Sequence, residues 1–259
     1  MWHAELASKL CVPTEFRLLN YPGGLPSQMY TVGLSPDNSN LQADMSYIHS
    51  MMSSSPTGST PLCFHLHDIY NKILPNVPFL NQTGKKALVV VATDGESSDG
   101  DVALALEPFR LLPVWVVIRL CTDQEQVVEY WNGIDDEIEL DMDVLNDVAG
   151  EAKEVYAKNP WLSYSLNLHR IREFGSTCKD FDLLDERPLK ALEIKNAIKA
   201  IFGEEVPHPE EDWSRFIAKV KDLNASSSYE WNFVKNKLEP WIDVKKLNSL
   251  HSSGACNIS

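Results

Sequence analysis

Two uninterrupted apolar runs constrain this chain most. "ALVVVAT" (residues 87–93) and "VWVVIRLC" (114–121) are rich in β-branched residues and do not alternate with polar ones. Between them lies "DVALALEPFRLL", whose apolar spacing is helical. Strand, helix and strand without alternating polarity predict parallel strands of a sheet covered on both faces. The expected fold class is therefore α/β, a doubly wound, mostly parallel sheet.

The flanking segments extend the pattern. Residues 2–11 space Trp2, Leu6 and Leu10 as a helix that Pro13 stops. "EFRLLNY" reads as a short buried strand ended by "PGG", and "QMYTVGL" as an edge strand. Asp37, Asn38 and Ser39 resemble a cap for a helix that presents Leu41, Met45, Ile48 and Met52 on one face. A further helix runs from about Pro61 to Leu74, with Thr60 as N-cap and Pro61 in its first turn. Others are expected around 123–132 and 144–158. After "WLSYSLNLHRIREFG", Gly175 is a plausible stop. Beyond it come a polar connector ("STCKDFDLLDERP"), helices ending at Gly203 and starting at Asp212, and no strand-like run. The expected organisation is a main domain over 1–174 and a helical extension over 175–259.

Composition removes several functions. The chain has 259 residues, 44% of them hydrophobic, and a net charge of −14, which opposes binding to nucleic acid or an anionic membrane. Twelve acids against one base between 123 and 154 read as a solvated acidic face, or as a docking surface for a basic partner. The five cysteines are scattered and contain no CxxC pair, so they read as reduced thiols rather than a zinc site. The N-terminus lacks a secretory apolar core and no run spans a bilayer, so the chain is expected to be cytoplasmic. His65 and His67 sit two apart on a helix and face different sides, so they read as packing or surface residues. Trp213, Trp231, Trp241, Phe216 and Phe233 read as the core of the extension, or as a peptide-binding surface.

The chemistry-bearing stretch is "TDGESSDGD", directly after the first apolar run. Ligands of open parallel sheets gather at such strand ends. Asp94, Glu96, Ser97, Ser98, Asp99 and Asp101 offer hard oxygens suited to Mg²⁺, Mn²⁺ or Ca²⁺. The same stretch also fits a capped turn that binds nothing.

"GSTPLCFHLHDIY" followed by "ALVVVATDGESSDGD" resembles the von Willebrand factor A family. The resemblance runs from about residue 2 to 174 and is strongest between 59 and 120. It implies a metal-ion-dependent adhesion site, with Thr60 and Asp94 as ligands of Mg²⁺ or Mn²⁺. Ser59, Gly95, Glu96, Ser97, Ser98 and Asp99 would form the rim. The implied function is non-enzymatic binding of a protein partner at the carboxyl edge of the sheet. The family's D-x-S-x-S motif occurs nowhere in the chain, so the site is expected to be incomplete and the N-terminus truncated inside the first helix. Loss of the central strand would leave "EFRLLN" and "ALVVVA" with unpaired edges. The competing class is a Mg²⁺-dependent hydrolase or phosphotransferase using Asp94, Glu96, Asp99 and Asp101. A third reading is a structural domain without a working metal site.

Overall fold

The computed structural model describes residues 1–252 except Asn38, Pro56, Asp123 and Thr177, with the side chains of Asp136, His251 and Ser252 also outside the description. The expected cap residue Asn38, the acidic Asp123 and the thiol of Cys256 thus lie outside the described residues. The chain forms two compact units: Met1–Ala87 with Gly95–Pro113 and Glu137–Glu139, and Leu88–Asp94 with Val114–Asp136 and Leu140–Ser259.

The first unit begins with the helix Trp2–Lys9, which buries Ala4, Ala7 and Ser8. It ends four residues before Pro13. Cys11 adopts φ 53°, and its N–H and that of Val12 close back on the carbonyls of Ser8 and Ala7. Strands β1 (Thr14–Arg17) and β2 (Met29–Val32) pair antiparallel, Thr14 opposite Val32 and Arg17 opposite Met29. β1 is only half-buried rather than buried as expected, because this hairpin is a sheet of its own. Gly33 then turns at φ +74°, where a Cβ would stand 2.3 Å from the Val12 carbonyl oxygen.

The helix Leu41–Met52 forms as its spacing predicts, but its buried side is Asp44, Ile48 and Met51, while Met52 is exposed. Asp44 tolerates burial because Ser8 Oγ and Tyr30 OH donate to it at 3.1 and 2.9 Å. Neither Asp37 nor Ser39 caps this helix. Asn40 precedes it without a side-chain bond, and Asp37 accepts from Ser35 and Ser39 instead. The helix Leu62–Ile73 follows, continued by a 3₁₀ turn and the helix Val77–Thr83. Residues 102–111 form a helix, Val102–Leu106, that tightens into a 3₁₀ turn at Pro108.

The second unit, from Leu88 on, holds the parallel strands: β3 (Ala87–Thr93), β4 (Val114–Leu120) and β5 (Met142–Leu145) lie side by side in that order. β4 and β5 are parallel, with Val117 opposite Asp143. Ala87 donates to Pro113 and Cys121 donates to Thr93, so β3 also starts where β4 starts. The α/β class with a parallel sheet flanked by helices is thus present. Two details differ from expectation. β5 lies inside the acidic stretch, where a helix from 144 was expected; that helix is Val148–Lys158. β3 is outermost and alternates, with Val89, Val91 and Thr93 buried and Leu88, Val90 and Ala92 exposed.

One core joins residues on both sides of Gly175, among them Val155, Trp161, Leu168, Phe181, Phe216 and Leu247. Gly175 turns at φ +78°, and a Cβ there would reach within 2.5 Å of Leu88 Cδ1. "STCKDFDLLDERP" is not merely a polar connector. It folds into a 3₁₀ turn, Lys179–Phe181, and a short helix, Leu183–Glu186, burying Phe181 and Leu184. The helices Ala191–Phe202, closed by left-handed Gly203, and Trp213–Ser226, capped by Asp212, form as predicted. An antiparallel hairpin, β6 (Glu230–Asn232) and β7 (Lys237–Glu239), turns through Asn236 at φ 52° where no strand was expected. Of the aromatic residues, Phe216 and Trp241 are buried and Trp213 and Phe233 pack against them, while Trp231 is 44% exposed. No described helix is long and apolar enough to cross a membrane.

Candidate functional site

Ser59, Thr60, Ser97, Ser98 and Asp99, all in the first unit, belong to one hydrogen-bonded assembly. The helix Leu62–Ile73 needs acceptors for its first N–H groups, and Thr60 does not supply one from its side chain. Asp99 does. Its Oδ1 accepts from the Cys63 N–H at 3.0 Å and its Oδ2 from the Phe64 N–H at 2.9 Å. Ser97 Oγ braces the carboxylate at 2.6 Å. Ser98 pairs with Thr60 in both directions, its Oγ accepting the Thr60 N–H and its N–H donating to the Thr60 carbonyl, each at 2.9 Å. Asn20 holds the Ser59 carbonyl at 2.6 Å. Burial disfavours the charged form of Asp99, but bonds from Ser97, Phe64 and Cys63 outweigh it and hold the carboxyl below its usual range.

This clamp consumes some predicted ligands and leaves others. Asp99 is a helix cap, and Asp101 accepts from the Leu104 N–H as the cap of Val102–Leu106. Among the described residues, the Thr60 hydroxyl and the Glu96 carboxylate accept and donate no hydrogen bond. Asp94, in the second unit, is exposed just past the end of β3, and its carboxylate likewise has no partner among them. His65 is buried with Nε2 at 2.8 Å from the Leu19 carbonyl, and His67 lies against the Cys63 carbonyl, so the two do not share a ligand. Cys63 is a free thiol whose ionisation is pushed up by burial.

The most concentrated charge chemistry lies elsewhere, inside the second unit. Arg172, 2% exposed, donates to Glu151 at 2.8 Å, to both oxygens of Asp143 at 3.0 and 3.4 Å, and to Asp185 at 3.2 Å. Its Nη1 also reaches the Tyr164 hydroxyl at 3.4 Å, which faces His169 Nδ1 at 3.0 Å. The solvated acidic face expected from the sequence is thus partly an interior: Asp143 is 6% exposed and Glu151 1%. One guanidinium cannot neutralise three carboxylates. Burial, opposed by Arg172 and reinforced by Asp185 and Asp143, pushes Glu151 up to about 8. Asp182 is pushed up to about 8 as well, by burial and then by Asp143.

The backbone serves this network. Asn146 N–H donates to Glu151 at 3.0 Å, and Asp147 caps the helix that carries Glu151 through the N–H groups of Ala149 and Gly150. Ser165 caps the helix carrying Arg172. On its outer side, Glu151, Glu154 and Asp185 bring carboxylate oxygens within 4.8 Å of one another, a spacing that could hold a metal ion.

From the sequence, Asp143, Glu151 and Glu154 counted only as part of the acidic stretch, and Arg172 and Asp185 were not singled out. A signal was present nonetheless. Glu151 occupies the apolar stripe Val148, Ala152 and Val155, and Arg172 the stripe Leu168 and His169, both at helical i, i+3, i+4 spacing. A charge on each of two apolar stripes announces a buried pair.

No family model matches the chain, and no curated protein or solved structure matches it either.

Proposed function

We propose that this chain is a non-enzymatic protein-interaction module of the von Willebrand factor A kind, cytoplasmic, that binds a protein partner at the carboxyl end of its parallel strands. The observation that supports it most is the clamp between Thr60–Phe64 and residues 97–99. It spends Ser97, Ser98 and Asp99 on fixing a loop, and leaves the Thr60 hydroxyl and the Glu96 carboxylate without hydrogen-bond partners among the described residues. A loop held rigid with unspent oxygens is suited to recognition, because its ordering cost is met before a partner arrives.

In this reading Thr60 and Asp94 are the cation ligands that the resemblance implies. Both keep free oxygens, which fits Mg²⁺ or Mn²⁺ chemistry. Either donor by itself is little for a cation that takes about six ligands, so affinity is weak and an acidic partner side chain adds to the shell. The alternative, a Mg²⁺-dependent hydrolase or phosphotransferase, draws less support: Asp99 and Asp101 are occupied as caps, leaving Asp94 and Glu96 without a base or nucleophile among the residues assigned to it.

The test is calorimetric titration of the whole chain with Mg²⁺ and with Mn²⁺. Binding heat that disappears in both Thr60→Ala and Asp94→Ala, and persists in Glu154→Gln, supports the proposal. Heat that survives both and is lost in Glu154→Gln assigns the cation to Glu151, Glu154 and Asp185 instead. Absence of heat at millimolar cation removes the metal from the reading.

A further inference from the structure

Among the described residues, β3 is the outermost strand of its sheet and pairs with β4 alone. Ala87 donates its N–H to Pro113, and Thr93 accepts from Cys121, so the odd-numbered residues turn their backbone groups toward β4. The backbone alternates along a strand, so the N–H and C=O groups of Leu88, Val90 and Ala92 point to the open side. The side chains of those same residues are exposed, Leu88 by 38% and Val90 by 43%. The strand is uncharged from Ala87 to Thr93 and contains no proline. Solvent-facing edges are ordinarily protected by such residues, because an open ladder invites another strand.

We propose that this edge pairs with the same edge of a second copy, antiparallel, with the twofold axis through Val90. The charges flanking the strand favour this occupant. Lys85 and Lys86 precede it and Asp94 follows it, so "KKALVVVATD" is complementary to its own reverse. In this register Val90 faces Val90, Leu88 faces Ala92 and Lys86 faces Asp94. All of these are even-numbered, so the outward backbone groups meet one another. The pairs Val90–Val90, Leu88–Ala92 and Ala92–Leu88 each exchange two N–H···O bonds. Moving the axis to residue 89 or 91 keeps outward groups facing, but sets Lys86 against Ala92 or Asp94 against Leu88. Either shift breaks the Lys86–Asp94 pairs and sets one charged residue of each strand beside an apolar one. An isologous contact of this kind closes as a dimer.

Sedimentation velocity and light scattering on the whole chain, over a wide concentration range, read the association directly, and the expected species has twice the chain mass. Val90→Cys gives the sharpest arm, because the axis sets this residue against itself. Facing Cα atoms in a hydrogen-bonded pair stand about 5.5 Å apart, inside the range a disulfide spans. Mild oxidation should produce a covalent dimer whose linked peptide joins residue 90 to residue 90. Val90→Lys places two ammonium groups face to face and should weaken association at least about tenfold. Val90 is exposed, so the thermal melt of that variant should match the parent and show that the fold is intact. A monomer at every concentration, or a dimer that Val90→Lys leaves unchanged, overturns the proposal. So does a covalent dimer linked through the exposed Cys121 with no 90–90 bond.

Discussion

Replacing Arg172 by Met tests the central energetic claim, that a single buried cation holds several buried acids in place. Methionine keeps much of the aliphatic length of the side chain and removes the guanidinium. What remains are Asp143 and Glu151, both under 9% exposed, facing Asp185 without a countercharge. Breaking a buried pair in this way costs about 3–5 kcal/mol. For a domain of this size each kcal/mol moves the melting temperature by about 2–4 °C, so the loss should be about 6–20 °C.

The cost should depend on pH. Glu151 and Asp182 titrate near 8 in the folded protein, above their ordinary values of 4.5 and 3.8. An acid raised on folding takes up a proton as the chain folds. Its contribution is fully present below the unfolded value and is lost as pH rises through about 8. The parent protein should therefore lose stability between pH 5 and pH 8. The Arg172→Met variant should suffer most at the alkaline end, where the orphaned carboxylates have no protons to offset their charge. Urea unfolding of both proteins at pH 5 and at pH 8 measures the four stabilities. A loss below about 1 kcal/mol, or one equal at both pH values, would show that water rather than Arg172 satisfies these acids.

Other perturbations test the local geometry. Asp99→Ala frees the first N–H groups of Leu62–Ile73 and should cost about 0.5–2 kcal/mol, with faster amide exchange at Cys63 and Phe64; unchanged exchange there would contradict the capping assignment. Gly33→Ala forces a Cβ against the Val12 carbonyl at positive φ and should cost more than about 1 kcal/mol in a thermal melt, whereas Gly84→Ala, with open space around it, should cost less. The cation titration and the association measurements described above complete the set.

Much of the frame was legible because its causes are local. Asp212 and Gly203 bound their helices through neighbours only a few residues away, and "VWVVIRL" is buried on both faces as its composition demands. The clamp at Thr60 was half legible. Both partners were identified as candidates, yet which carboxylate caps which helix depends on residues 36 apart meeting, and local spacing holds no record of that. β5 was hidden because four residues within a strongly acidic stretch show little period of their own and become a strand by pairing with β4.

The sequence alone determined what is settled within a few residues: most of the helices, the bounds at Asp212 and Gly203, the apolar strands and the excess of negative charge. Only the tertiary structure decided which of those charges are inside. A carboxylate is equally at home in water or beside a guanidinium, and the choice falls to whichever distant chain segments bring Arg172 to Asp143, Glu151 and Asp185.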